Sequence, residues 1–220
     1  LTGGPGSPGV TTTSLGLTLC WPGDVMLSDC DRDPAQAIPA GYLRGLDLGG
    51  RGLAVLARLH REARGIGPEL IRQTIALTRE ETTNRRFLPG FAQPGAVRLF
   101  DHIWPELAEA FVGLGSQGID VIVDAGRLGR DGLPVALLEI ADAIGFVLQS
   151  SLKSLAASRL YLPLLAEQVS TLPADRPLGL MLVGPDRPYS VREITAQFGI
   201  DCWARIPWDP KPAGMLSHGL

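Results

Sequence analysis

Residues 4–13, Gly4-Pro5-Gly6-Ser7-Pro8-Gly9-Val10-Thr11-Thr12-Thr13, narrow the possible folds of this chain more than any other stretch. Gly4 and Gly9 stand where a phosphate-binding loop of the form G-x-x-x-x-G-K-[ST] has its glycines, with Val10 in place of the lysine. Without a Cβ, the backbone at such positions can close around an anion. Thr11 takes the position of the hydroxyl that would touch Mg²⁺. Thr11 to Cys20 is helical in pattern, so the loop's amides are expected at a helix N-terminus, where unpaired N–H groups and the helix dipole favour negative charge. The missing lysine bears on chemistry more than on shape, because its charge steadies the β- and γ-phosphates. The same residues also suit a glycine-proline turn capped by threonine.

A chain of 220 residues is long enough for one α/β domain with a substantial core. A net charge of −3 makes no electrostatic case for nucleic acid or for a membrane surface, and no uninterrupted apolar run reaches membrane-spanning length. Leu1 to Pro8 carries no charged n-region, so no secretory signal is expected there. Cys20, Cys30 and Cys202 fall at unrelated spacings, which points to reduced thiols in a cytosolic protein. His60, His102 and His218 show no ligand spacing, and no metal–histidine site is expected. A phosphate loop normally follows a buried strand. Leu1 and Thr2 are therefore either that strand's last two residues or the start of a piece cut from a longer chain.

Further along, Asp24 to Asp29 reads as a short buried strand that delivers the acidic run Asp29-Cys30-Asp31-Arg32-Asp33-Pro34 at its carboxyl end. Ligands of doubly wound sheets bind outside the carboxyl ends of strands, which favours a functional cluster over a solvated turn. Residues 35–50 look loop-like. Arg51 to Arg64 is amphipathic, with Leu53, Leu56, Ala57 and His60 on one face. Helices are also expected over Pro68–Leu77 and Arg98–Leu114, with a short strand at Arg86–Leu88 between them and Trp104 as a core contact. Ile119 to Asp124 is the clearest strand, a β-branched run tipped by a carboxylate, which is the form of a Walker B element. It leads into Ala125-Gly126-Arg127-Leu128-Gly129. Strands at Ala143–Gln149, Leu178–Val183 and Asp201–Ile206 alternate with helices at Ser151–Val169 and Ser190–Phe198, the latter opening on a capping box formed by Ser190 and Glu193. Alternation of this kind implies parallel β-α-β crossovers, a three-layer α/β sandwich with a mostly parallel central sheet, and a single domain over 1–220.

The order of these pieces resembles the ParA/MinD family of deviant Walker A ATPases over nearly the whole chain. That family's loop reads K-G-G-x-G-K-T-T. Gly6-Ser7-Pro8-Gly9 covers G-G-x-G, Thr11-Thr12 covers T-T, and the two family lysines fall on Pro5 and Val10. The family's D-x-D matches Asp29-Cys30-Asp31, its Walker B aspartate matches Asp124, and its adenine-side loops correspond to Val183-Gly184-Pro185 and Ile206-Pro207-Trp208-Asp209. The narrower flavour is similar to the TadZ/CpaE-like localisation factors encoded beside pilus or secretion machinery.

The resemblance implies a P-loop NTPase-like domain taking ATP or ADP with Mg²⁺. Nucleotide contacts would come from Gly4, Gly6, Ser7, Gly9, Val10, Thr11, Thr12, Pro207 and Asp209. Catalytic carboxylates would be Asp29, Asp31 and Asp124, with Mg²⁺ held through water by Thr11, Asp31 and Asp124. With both lysines gone, the chain would be at most a weak ATPase, unless Arg32 or Arg127 substitutes for them. It would act as a cytoplasmic homodimer, recruited to a membrane-associated or polar assembly by a protein partner, and its mildly acidic total argues against nucleic acid. The alternatives are a competent ATPase using another cation and a scaffold that binds no nucleotide. More distantly, Gly4-Pro5-Gly6-Ser7-Pro8-Gly9 matches G-x-G-x-x-G, with Asp29 placed to meet a ribose, as in a dinucleotide-binding oxidoreductase.

Overall fold

The computed structural model describes residues 1–6, 9–78, 82–186 and 188–219. In chain order the elements are β1 (Thr2–Gly3), α1 (Val10–Leu19), β2 (Val25–Asp29), α2 (Leu53–Arg61), β3 (Ile75–Ala76) and β4 (Arg85–Leu88). Then come α3 (Ala96–Leu99), α4 (Trp104–Gly115), β5 (Asp120–Asp124), α5 (Val135–Ile140) and β6 (Ile144–Gln149). The chain finishes with α6 (Leu152–Ser170), β7 (Leu178–Val183), α7 (Val191–Phe198), β8 (Cys202–Ile206) and α8 (Pro210–His218).

These elements form two compact units. The first comprises Leu1–Val10 and Ala125–Pro210, and its sheet has the order β1-β6-β7-β8 with every pair parallel. Continuous apolar runs make that arrangement possible, since a parallel strand covered on both faces has no side to offer to water. Phe146, Val147, Leu148, Leu180 and Leu182 are fully buried. Two glycines admit close neighbours within the sheet: Gly145 sits between Leu1 and Met181, and Gly179 lies against the ring of Trp203. Ser151 caps α6 by accepting from the Ser154 amide, while the Ser154 hydroxyl accepts from the Gln149 amide at 3.0 Å, which ties the β6–α6 connection to its helix.

The second unit comprises Thr11–Asp124 and Lys211–Leu220. Its sheet runs β3-β4-β2-β5, parallel throughout except for the short β3, which pairs antiparallel with β4. Leu15, Val25, Leu27, Ile38, Phe87 and Ile122 build its core. A second cluster of edge-to-face rings joins Phe91, Phe100 and Trp104, so the tryptophan is a core contact as expected. Glu106 fastens α4 to the preceding segments, accepting from the Ile66 amide at 2.9 Å and meeting His60 Nδ1 at 2.6 Å.

The strands read from sequence are present within a residue at their ends, and α7 opens on the expected Ser190–Glu193 capping box. Two helical readings change, and a further helix was not anticipated. Pro68–Leu77 is two 3₁₀ turns, Gly67–Glu69 and Ile71–Gln73, followed by β3, because Leu77 donates its amide to Arg85 O and draws the chain into the sheet. Arg98–Leu114 is interrupted between Leu99 and Trp104, since Pro105 lacks the N–H a continuing helix needs and starts α4 afresh. The further helix is α8, in a stretch that had no helical reading. It is held by Leu216, which packs on the core of its unit, and by Ser217, whose backbone closes on Gly41.

Candidate functional site: a glycine loop and a pair of strand-end carboxylates

The residues marked out by sequence divide between the two units. In the first unit, Gly4 leaves β1 buried and the chain turns at Gly6 and Gly9, whose φ values of 77° and 111° belong to the left-handed region that glycine alone enters without strain. Ser7 lies outside the described residues. The foot of the loop is stitched to the segment after β5: Gly3 donates to Gly126 O at 3.1 Å and accepts from the Leu128 amide at 2.8 Å. The Thr2 hydroxyl adds a bond to Gly126 O at 3.0 Å. Arg127 therefore stands beside β1 through its backbone, with its side chain exposed.

The loop also rests on α6. A Cβ placed on Gly4 would meet Ala157 and Ser158 at 3.7 Å, an ordinary contact, and one on Gly6 would lie 3.3 Å from Lys153 Cε. Lys153 was not among the residues singled out by sequence. Val10, in the place of the phosphate lysine, is only 5% exposed and serves the core. In the same unit the two predicted adenine-side loops meet, as the Gly184 amide donates to Ile206 O at 2.8 Å and Trp208 packs on Gly184. Pro207 and Asp209 flank that tryptophan and are exposed.

In the second unit, α1 continues from Val10, and Thr11 and Thr12 are half-buried in its first turn. Asp29 and Asp124 end the neighbouring strands β2 and β5 in direct register, and the Cys30 amide donates to Asp124 O at 2.8 Å. Asp124 is fully buried and Asp31 nearly so. Burial, and after it the charge of Asp124, push the Asp29 carboxyl up to about 7. Gly90 makes room for this side chain: a Cβ there would lie 2.6 Å from Asp29 Cγ. Two Asx turns order the acidic run, Asp29 Oδ1 accepting from the Asp31 amide at 3.2 Å and Asp31 Oδ1 from the Asp33 amide at 2.8 Å. Arg32 is half-buried in this run. Burial pushes the Cys30 thiol up to about 12, which makes it an inert side chain near neutral pH.

Oxygen ligands of this kind suit a hard divalent cation, whose charge would offset the repulsion between Asp29 and Asp124. Among the described residues no three His, Cys, Asp or Glu side chains gather into a metal cage. Mg²⁺ is usually held by one or two carboxylates with water completing its shell, and the neighbouring Asp29 and Asp124 are a donor set of that kind. Among the described residues no helix is long and apolar enough to cross a membrane.

No family model matches the sequence, and no curated protein does. Solved structures do. A ParA family ATPase from Chlorobium tepidum TLS aligns with a TM-score of 0.68 at 17% identity, covering 94% of this chain and 83% of its own. A chain of the MinC:MinD cell division protein complex of Aquifex aeolicus gives a TM-score of 0.63 at 14% identity, covering 97% and 83%. Cobyrinic acid a,c-diamide synthase from Mycobacterium smegmatis, with bound ATP analogue and magnesium, gives 0.59 at 18%, covering 96% and 87%. This chain has the three-layer α/β P-loop fold of the ParA/MinD ATPases.

Proposed function

We propose that the chain is a ParA/MinD-like positioning or assembly factor with a degenerate phosphate loop. It binds ATP or ADP with Mg²⁺, hydrolyses the nucleotide weakly or not at all, and acts through dimerisation and a protein partner. Residues 1–220 serve as one P-loop domain of this kind. The carrying observation is the glycine loop itself, with Gly6 and Gly9 in left-handed backbone and the chain running straight from Gly9 into α1. Such a loop offers amides to an anion even where Val10 has replaced the lysine.

In this reading Gly4, Gly6, Ser7, Gly9 and the backbone of Val10 follow the phosphates, joined by Thr11 and Thr12. Pro207 and Asp209 flank the base. Asp31 and Asp124 hold Mg²⁺ through water together with Thr11, and the ion supplies positive charge to the phosphates. Asp29 would accept a proton near neutral pH, as its raised carboxyl allows. The protein works in the cytoplasm and reaches a membrane-associated or polar assembly, such as pilus or secretion machinery, through its partner.

Titration calorimetry with ATP, ADP and a non-hydrolysable ATP analogue, each with Mg²⁺, tests the reading when sedimentation is run alongside. Micromolar binding that moves the protein toward dimer is the expected result. Absence of binding at millimolar nucleotide would leave only a scaffold. A second reading, a competent ATPase, gains support from the lysine lying against Gly6. It requires measurable phosphate release that Asp124→Asn abolishes.

A further inference from the structure

We propose that Lys153, carried on the first turn of α6, supplies the cation that the loop's own sequence lacks and takes the terminal phosphates of a nucleoside triphosphate; this rests on the nucleotide-binding reading above. Three observations within the first unit lead there. The loop lies along the start of α6, with Gly4 over Ala157 and Ser158 and Gly6 over Lys153 one turn earlier. Glycine suits that approach, because a φ of 77° strains other residues and a Cβ there would lie 3.3 Å from Lys153 Cε, a tight contact relieved only by a shift of the lysine's end. The ammonium is one bond beyond that carbon, so its reach includes the mouth of the loop.

The second observation is electrostatic. Lys153 places a positive charge in the first turn of a helix, where the macrodipole disfavours cations, and no acidic residue in that turn compensates. Among the described residues no carboxylate pairs with it. A bound polyphosphate would reverse the sign of that interaction and give the ammonium charge-assisted bonds to phosphate oxygens. The third is positional. Val10, at the ordinary lysine position, is committed to the core and cannot turn outward without exposing apolar surface. The side chain of Arg127 is also exposed in this unit, yet its backbone, and not its guanidinium, is what meets β1.

The test is calorimetry on the full chain with Mg–ATP and with inorganic tripolyphosphate, comparing wild type with Lys153→Met, Lys153→Arg and Arg127→Ala. Lys153→Met should weaken both probes about 10- to 100-fold, and Lys153→Arg should stay within about threefold of wild type, since the charge is kept. Lys153 is exposed, so circular dichroism is expected to report unchanged folding for both variants. Equal loss for the two probes assigns the ammonium to phosphate, whereas a loss confined to ATP would overturn that assignment. Wild-type affinity in Lys153→Met, or the loss appearing in Arg127→Ala instead, overturns this inference and leaves nucleotide binding intact. Failure of wild type to bind either probe at millimolar concentration overturns both.

Discussion

Asp29 carries a value near 7 in the folded chain against an ordinary 3.8, with burial and Asp124 as the causes. Between those values the folded state keeps a proton that the unfolded chain has released. Stability from this group is therefore fully present below pH 3.8 and falls as pH rises through the interval, by at most ~1.4 kcal/mol per pH unit, then levels off above 7. Asp29→Asn removes the titration and nearly preserves the shape. The difference in urea unfolding free energy between wild type and Asp29→Asn should slope downward from pH ~4 to ~7. A flat difference would mean that neither burial nor Asp124 raises the Asp29 carboxyl. If the pair takes Mg²⁺, the added charge favours ionised Asp29, and the slope should shrink in millimolar MgCl₂. Gly90 bears on the same side chain. Gly90→Ala puts a Cβ 2.6 Å from Asp29 Cγ and 2.7 Å from Asp29 O. That crowding should cost roughly 2 kcal/mol in urea unfolding, while a loss near zero would show that the β4 turn moves freely.

Among the elements, α7 has the most explicit start signal. The Ser190 side chain accepts from the Glu193 amide and Glu193 reaches back to the Ser190 amide at 2.8 Å. Ser190→Ala should destabilise the chain by about 1 kcal/mol, read as a lower thermal midpoint, and Ser190→Asp should restore most of it. Signals like this one, and runs such as Ile144–Gln149 or Val25–Asp29, were legible because their causes lie within a few residues: a reciprocal cap, or a strand apolar on both faces. The segment 67–77 was not legible, since its periodicity suits a helix and only the pairing of β3 with β4 decides against one. The Asp29–Asp124 pair could be anticipated from two strand-end carboxylates, whereas the complete burial of Asp124 needed the fold. Lys153 could not be anticipated at all. Nothing around it resembles a phosphate motif, and its relation to Gly6 exists only once α6 is packed beneath the loop.

For the molecule as a whole, ligand binding and stability are one equilibrium seen from two sides. A nucleotide that binds the folded chain and not the unfolded one stabilises it by RT ln(1 + [L]/Kd), about 2.7 kcal/mol when the ligand stands at one hundred times its Kd. For a chain of 220 residues each kcal/mol moves the thermal midpoint by roughly 2–4 °C, so saturating Mg–ATP should raise it by about 5–11 °C. Lys153→Met, which weakens binding without touching the core, should lose most of that rise at the same ATP concentration, while its midpoint without ATP stays at or slightly above wild type because an unfavourable charge leaves the start of α6. The two halves of this expectation separate the candidate roles. A chain whose loop holds nucleotide as a structural or regulatory ligand shows the rise with ATP and with its non-hydrolysable analogue alike. A hydrolysing enzyme that turns its nucleotide over during the scan shows a larger rise with the analogue than with ATP, and Asp124→Asn brings the two together. A scaffold that retains only the architecture of the ParA/MinD ATPases shows no rise with any of them, and its partner would then have to be sought among proteins alone.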